Sequence, residues 1–284
     1  MMTYLQAVIL GLLQGVTELF PISSLGHSII IPAVFHWNIS QNNNYFLIFL
    51  VATHLATALT LLGFFFADWK KIVSGIFRSL QNREVNQHDT YEKIGWLLIV
   101  GTIPAGILGL FFEQQFKNIF SSPRIVALFL IANGVLLYGV ERLTRKKASG
   151  HAGRHDDARI AKLSWSGTVK IGLAQSLALI PGFSRTGATL GGGLLNGLNH
   201  EDAARFSFLL ATPIILAAAV LKLPELIGNQ SYALGPIIVG VIASAIAAYF
   251  SVKFLTSYFK TKTLTPFALY CVSIGFIAFV LLIR

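Results

Sequence analysis

Residues 5–34 read LQAVILGLLQGVTELFPISSLGHSIIIPAV, an apolar run interrupted at Phe20-Pro21-Ile22-Ser23-Ser24-Leu25-Gly26-His27. Residues 168–198 read TVKIGLAQSLALIPGFSRTGATLGGGLLNGL and are interrupted in the same manner, at Pro181-Gly182-Phe183-Ser184-Arg185-Thr186-Gly187. Each half holds roughly 10–15 residues, too few to cross ~30 Å of hydrocarbon at ~1.5 Å per residue. Short apolar halves around a polar break read as re-entrant helix–loop–helix segments. Irregular backbone at membrane depth survives only inside protein or beside a water-filled cavity. The two segments also match each other: Gly11-Leu12-Leu13-Gln14 parallels Gly172-Leu173-Ala174-Gln175, and after a one-residue slip Pro21 and Ser24 parallel Pro181 and Ser184.

Around these segments the chain is too apolar for a soluble globule. Of its 284 residues 54% are hydrophobic and 12% charged, about half the usual quarter of charged residues. The same composition excludes disorder. Six further stretches, 45–67, 95–112, 124–140, 206–221, 234–252 and 264–283, are long and clean enough to span. The prediction is an all-α integral membrane protein of six transmembrane helices plus two re-entrant segments. It forms one membrane domain over 1–284, built of repeat 1 (1–142) and repeat 2 (163–284). Residues 142–162, with Arg145, Lys146, Lys147, Arg154, Asp156 and Asp157, read as a solvated polar linker. The loop after the first span, with Lys70, Lys71 and Arg78, reads likewise as a loop. The single cysteine, Cys271, excludes an intrachain disulfide, and the N-terminus lacks the basic n-region of a cleavable signal.

The net charge of +10 invites a nucleic-acid reading, which fails because much of the excess sits in loops between spans, where basic residues set topology. Placing the loop after the first span inside puts 17 Lys and Arg inside and 4 outside, with Arg185 in the membrane. Both termini are then outside. Three spans per repeat is an odd number, so the repeats are inverted and the two broken segments dip from opposite faces toward mid-membrane.

Those segments carry polar residues that lipid would not tolerate. Gln14, Thr17 and Glu18 share a helix face; Ser24 and His27 open one half-helix, and Ser184, Arg185 and Thr189 another. Glu18 and Arg185 are costly in lipid. They read either as an ion pair joining the repeats or as parts of an anion site, where a serine-capped helix N-terminus and an arginine fork suit phosphate. Glu18 with Gln14 would offer oxygens to Mg²⁺ or Ca²⁺. His27 and Ser24 are candidates for nucleophile and proton transfer, with water as a third nucleophile. His54 reads as an internally hydrogen-bonded histidine, and His36, His88, His151, His155 and His200 as solvated.

The two stretches Gln14–His27 and Pro181–Thr189 resemble the two signatures of the undecaprenyl-diphosphatase, or bacitracin-resistance, family: Glu or Gln, three residues, Glu, then P-[VI]-S-S-x-G-H, and later P-G-x-S-R-[ST]-x-x-T. The likeness extends over the whole chain. It implies a bacterial inner-membrane hydrolase that removes the terminal phosphate of undecaprenyl diphosphate and regenerates the carrier for peptidoglycan synthesis. It implies a divalent cation, Mg²⁺ or Ca²⁺, at Glu18 and Gln14. It also implies catalysis by His27, Ser24 and Glu18, diphosphate binding by Arg185, Ser184, Thr189 and Gly187, and a site open to the outer side. Gln14 stands where some members carry a second Glu, and Leu25 where a small hydroxyl residue is common; both departures bear on the metal's ligands. Lipid phosphatases of the acid-phosphatase type need His at position 191, which is Gly191 here. The partners expected are the lipid substrate and the membrane, with no nucleic acid; homo-oligomerisation is left open. A polyprenyl-phosphate transporter or flippase without hydrolysis is the alternative, because broken helices in inverted repeats also build transporters.

Overall fold

The computed structural model describes residues 2–37, 39, 44–86, 88–111, 122–145, 156–227 and 233–283, and every regular element among them is helical. The first half runs α1 (Tyr4–Thr17), α2 (Ser24–Val34), α3 (Asn44–Phe64), α4 (Phe66–Asn82), α5 (Thr90–Phe111) and α6 (Pro123–Arg145). The second runs α7 (Asp157–Ala161), α8 (Trp165–Gln175), a 3₁₀ turn (Ser176–Leu179), α9 (Arg185–Leu195), α10 (His200–Ile227), α11 (Leu234–Tyr258) and α12 (Thr265–Ile283). Helices α3, α5, α6, α10, α11 and α12 are the six long and apolar enough to cross a membrane. They correspond to the six predicted spans.

Local chemistry sets the helix starts. Thr3 and Gln6 form a capping box on α1, and the hydroxyls of Ser23, Ser164 and Ser184 accept from the N–H three residues on, at Gly26, Gly167 and Gly187. Helix α1 stops at Thr17 because Phe20 precedes a proline, and Pro21 has no N–H to continue the ladder. Helix α1 then packs on α11 through small residues. A Cβ added at Gly11 would lie 2.3 Å from the Gly240 carbonyl oxygen, so the two backbones touch, as they do where membrane helices associate by close packing. The other face of α11, Ile238, Ile242, Ile246 and Phe250, is more than half exposed, a lipid-facing stripe at helical spacing.

Polar contacts define two ends. At one, Arg205 bridges Asp68 (2.8 Å) and Asp157 (2.9 Å). Close by in sequence, Glu141 holds His200 (2.8 Å), Arg145 (3.2 Å) and the Leu264 N–H (3.2 Å). This end gathers the exit of α3, the exit of α6 and the starts of α10 and α12. At the other end, Tyr45 donates to the Ala233 carbonyl (3.0 Å) and Arg124 to the Leu282 carbonyl (2.5 Å). The long helices therefore alternate in direction. Helix α1 begins at this second end, with Tyr4 against Gly235, and the chain after α2 returns there, where Trp37 and Ile39 pack around Met2 and Phe46. The α8–α9 pair does the reverse. Trp165 sits under the Lys93 ammonium (3.7 Å) at the basic end, and Asn196, after α9, returns beside Gly167.

Three expectations need correction. The linker is not wholly solvated: α6 runs on to Arg145, and α7 buries Ile160 and pairs Asp157 with Arg205. Lys146, Lys147, Arg154, His151 and His155 lie outside the described residues. The loop after the first span is instead the helix α4. His200 is not a solvated histidine but a partner of Glu141.

Candidate active site

The two breaks meet. Thr186 donates to the Glu18 carbonyl (2.8 Å), and Asn133 of α6 spans both tips, donating to the Pro21 carbonyl (3.1 Å) and accepting from the Ser184 N–H (3.0 Å). Asn133 and His54 each lie about ten residues into their helices, ~15 Å from the ends at ~1.5 Å per residue, so the junction sits near mid-depth.

Glu18 is the centre of the junction, with its side chain only 5% exposed. Its Oε1 accepts from Arg185 Nη2 (2.7 Å). Its Oε2 accepts from Ser24 Oγ (2.5 Å) and Gln14 Nε2 (3.1 Å), and lies 3.2 Å from His54 Nε2. The other nitrogen of His54 faces the Leu50 carbonyl (2.7 Å). Both oxygens only accept, so both contacts together require a doubly protonated ring. The carboxylate thus stands between the Arg185 guanidinium and the His54 ring. Arg185 Nη1 is buried with no partner. A buried guanidinium nitrogen without an acceptor is a place for an anion.

His27 occupies a different position from the one expected. Its Nδ1 donates to the Ser23 carbonyl (2.7 Å), its backbone N–H donates to the same oxygen (3.2 Å), and its Nε2 accepts from the Tyr270 hydroxyl (3.0 Å). Ser24 donates to Glu18 rather than to His27. Ser23 has a left-handed backbone, φ 70°, costly for a residue with a Cβ. The two bonds from His27 hold its carbonyl in that turn.

In the second break, Ser184 caps α9 by accepting from Gly187, so neither that hydroxyl lone pair nor the Gly187 N–H is free for a ligand. Thr189 is fully buried and bonded to Ser207 (2.5 Å) and the Arg185 carbonyl (2.9 Å), fastening α9 to α10. Of the four residues expected to bind the diphosphate, Arg185 alone presents an unpartnered side-chain nitrogen to the junction. The first-turn N–H groups of Arg185 and Thr186 have no intrahelical acceptor.

The cation expected at Glu18 and Gln14 does not fit this arrangement. A divalent ion takes six or more oxygens, whereas four donors, the Arg185 guanidinium among them, already occupy the Glu18 carboxylate. Gln14 Oε1, buried without a partner, is an oxygen open to a cation, but among the described residues no three His, Cys, Asp or Glu side chains gather to hold a metal. Sequence reading missed Asn133 and Tyr270 and undervalued His54. An Asn in the middle of an apolar span was the available signal for the first, and a His at that depth for the last.

Six helices long and apolar enough to span, packed around a buried serine–carboxylate–guanidinium cluster, define an integral-membrane protein. The chain belongs to the family of the bacitracin resistance protein BacA, whose model matches residues 7–277. It is 47% identical over 293 residues to the undecaprenyl-diphosphatase of Mycolicibacterium paratuberculosis, covering 96% of this chain and 95% of that one. It is 44% identical over 279 residues to undecaprenyl-diphosphatase 2 of Chromobacterium violaceum (96% and 97%), and 40% identical over 333 residues to undecaprenyl-diphosphatase 2 of Frankia alni (96% and 96%).

Proposed function

We propose that this chain hydrolyses undecaprenyl diphosphate to undecaprenyl phosphate and inorganic phosphate, regenerating the lipid carrier of peptidoglycan synthesis. The family and the names of its relatives support the substrate. The observation that carries the chemistry is Ser24 Oγ at 2.5 Å from the Glu18 carboxylate, beside the free Nη1 of Arg185. In this reading Arg185 and the α9 N-terminus hold the terminal phosphate. Glu18 takes the proton as Ser24 Oγ attacks phosphorus, and the bridging oxygen leaves with the bond's electron pair as undecaprenyl phosphate. Glu18, having passed the Ser24 proton to the departing undecaprenyl phosphate, takes a proton from the water that attacks the phosphoserine and gives it to Ser24 Oγ, which leaves with the P–O electron pair as inorganic phosphate is released. His27 is a positioning residue that holds the Ser23 turn, and Tyr270 holds His27. A Mg²⁺ or Ca²⁺ travels as counter-ion of the diphosphate rather than on Glu18 and Gln14.

The same reading places the protein in the bacterial inner membrane as one domain of two inverted repeats. The basic end lies in the cytoplasm, so the α1–α2 pair is re-entrant from the outer side, the α8–α9 pair from the inner side, and the site opens outward. The basic-loop asymmetry and the opposite ends at which the two pairs enter support this.

The test is phosphate release from undecaprenyl diphosphate by purified protein in detergent, run in ¹⁸O-water with a quenched search for phosphoserine. The expected result is turnover with label in the phosphate and a phosphoserine at Ser24 that vanishes in Ser24→Ala together with activity. Full activity in Ser24→Ala would overturn Ser24 as nucleophile. Absence of any phosphate release would overturn the hydrolase reading itself.

A further inference from the structure

Helix α4 follows α3 after a single residue, Phe65, and so begins where a spanning helix leaves the membrane. At 100° per residue its side chains separate into three sectors. Trp69, Ile72, Ile76 and Ser79 face the protein, where Ser79 Oγ accepts from Trp96 Nε1 of α5 (2.7 Å). A second sector, Phe66, Val73, Phe77 and Leu80, is apolar and exposed, with Phe66 at 59% and Phe77 at 67%. The third is polar: Lys70, Lys71, Ser74 and Arg78. A surface helix of a soluble protein has two such faces. A second apolar sector turned away from the protein is the pattern of a helix lying in the plane of a bilayer interface.

The polar sector is not a featureless charged face. Lys70, Lys71, Ser74 and Arg78, with Asp89 and Tyr91 from the approach to α5, line a shallow, open cavity of about 440 Å³. Asp89 is consumed locally: its Oδ2 accepts from Arg78 (2.6 Å) and its Oδ1 from the N–H groups of Tyr91 and Glu92 (3.1 Å each). Lys71 lies over the Tyr91 ring (4.6 Å) and donates to its hydroxyl (3.2 Å). Asp157, which accepts from the Tyr91 hydroxyl (3.0 Å), and Asp68 are both paired with Arg205, so three cations against the spent Asp89 leave the lining positive, one sector away from side chains that belong among acyl chains.

We propose that α4 lies in the interface of the basic-end leaflet and that this cavity takes the phosphate of an anionic phospholipid. Phe66, Val73, Phe77 and Leu80 reach the acyl region while Lys70 and Lys71 meet the headgroup. The charge complementarity and the adjoining apolar sector together favour a lipid over a soluble anion, which would use the cations and leave the apolar sector wet. The site is separate from the Glu18 junction, so it stands or falls independently of the reaction proposed there.

Two measurements on the full-length protein test this. In native mass spectrometry from mixed phosphatidylglycerol and phosphatidylcholine micelles, the protein retains phosphatidylglycerol preferentially. The double variant Lys70→Gln/Lys71→Gln loses that preference by about fivefold per charge removed, while Lys70→Arg/Lys71→Arg keeps it. An unchanged preference in the glutamine variant, or displacement of the lipid by millimolar inorganic phosphate, overturns the headgroup site. In vesicles, a nitroxide at Phe77→Cys is accessible to oxygen and shielded from a water-soluble relaxant, and one at Ser74→Cys is the reverse; Cys271 is fully buried and stays unlabelled. Equal exposure of both positions to the aqueous relaxant overturns the interfacial placement.

Discussion

The two helix breaks share a spacing and differ in chemistry. Ser23 and Ser184, 161 residues apart, cap helices of equal length, Ser24–Val34 and Arg185–Leu195. Gln14 and Gln175 keep the same offset, as do Gly26 and Gly187. The slip expected from matching Pro21 with Pro181 therefore belongs to the prolines alone, and the structural counterpart of Ser24 is Arg185, not Ser184. The first residue of one half-helix is the hydroxyl candidate for attack, and the first residue of the other is the cation that would hold what is attacked. Glu18 bonds to both. Neither break holds all three groups alone. The breaks also meet their conformational cost differently. The second puts glycine at its left-handed position, Gly182 with φ 107°. The first puts it on the cap itself, Ser23 with φ 70°, where the matching cap Ser184 has φ −93°, and His27 bonds twice to the Ser23 carbonyl.

The sharpest test of this division of labour is at the two equivalent positions. Ser24→Ala is expected to lower phosphate release by about 10⁴-fold or more, as loss of a nucleophile does in serine hydrolases. Arg185→Lys keeps the charge but loses the fork and is expected to cost about 10²–10³-fold, the scale of a lost transition-state donor. Both variants should reach the membrane in normal amounts. Near-normal turnover and substrate affinity in Arg185→Lys would reduce Arg185 to an ion pair joining the repeats.

Glu18→Gln, which keeps the shape and removes the base, is expected to lower turnover by about 10²–10⁴-fold. The divalent-metal concentration giving half-maximal rate should not move, because the variant removes no protein-held metal. A metal requirement raised tenfold or more would restore Glu18 as a ligand and break the contrast between a carboxylate break and a cation break.

His27→Ala removes the Nδ1 bond to the Ser23 carbonyl and the Nε2 bond to Tyr270, keeps the backbone N–H bond, and leaves Ser24 in place. Losing hydrogen bonds of ~1–3 kcal/mol in all should cost about 10–100-fold in turnover, and Tyr270→Phe less than that. If His27→Ala is as inactive as Ser24→Ala and accumulates phosphoserine, His27 transfers a proton in the hydrolytic step and is no positioning residue.

The smallest expected effect is on stability. Asn133→Ala leaves the Ser184 N–H without its acceptor and should cost ~1–3 kcal/mol, read as a lower thermal midpoint in detergent, with KM little changed. An unchanged midpoint would mean that the tips stay together without α6.

Much of this protein was legible in its sequence because the bilayer constrains so strongly. Runs near twenty apolar residues leave helices as the economical solution, and polar breaks in shorter runs mark where the chain turns back inside protein. Glu18 and Arg185 could be singled out for the same reason: a charge at that depth needs a partner or a ligand. What spacing along one chain cannot convey is which partner it finds. Glu18 meets Arg185 across 167 residues and His54 across a helix pair, and Ser24 turns its hydroxyl to Glu18 while His27, only three residues on, turns away to Ser23 and Tyr270. Those choices depend on the rotation of each half-helix about its axis, which α6, α11 and α12 fix by packing. The amphipathic sectors of α4 were present in the sequence, yet its charges read as a loop because it is too polar to span. Only its seat against α5 separates the apolar face that is buried from the one left exposed.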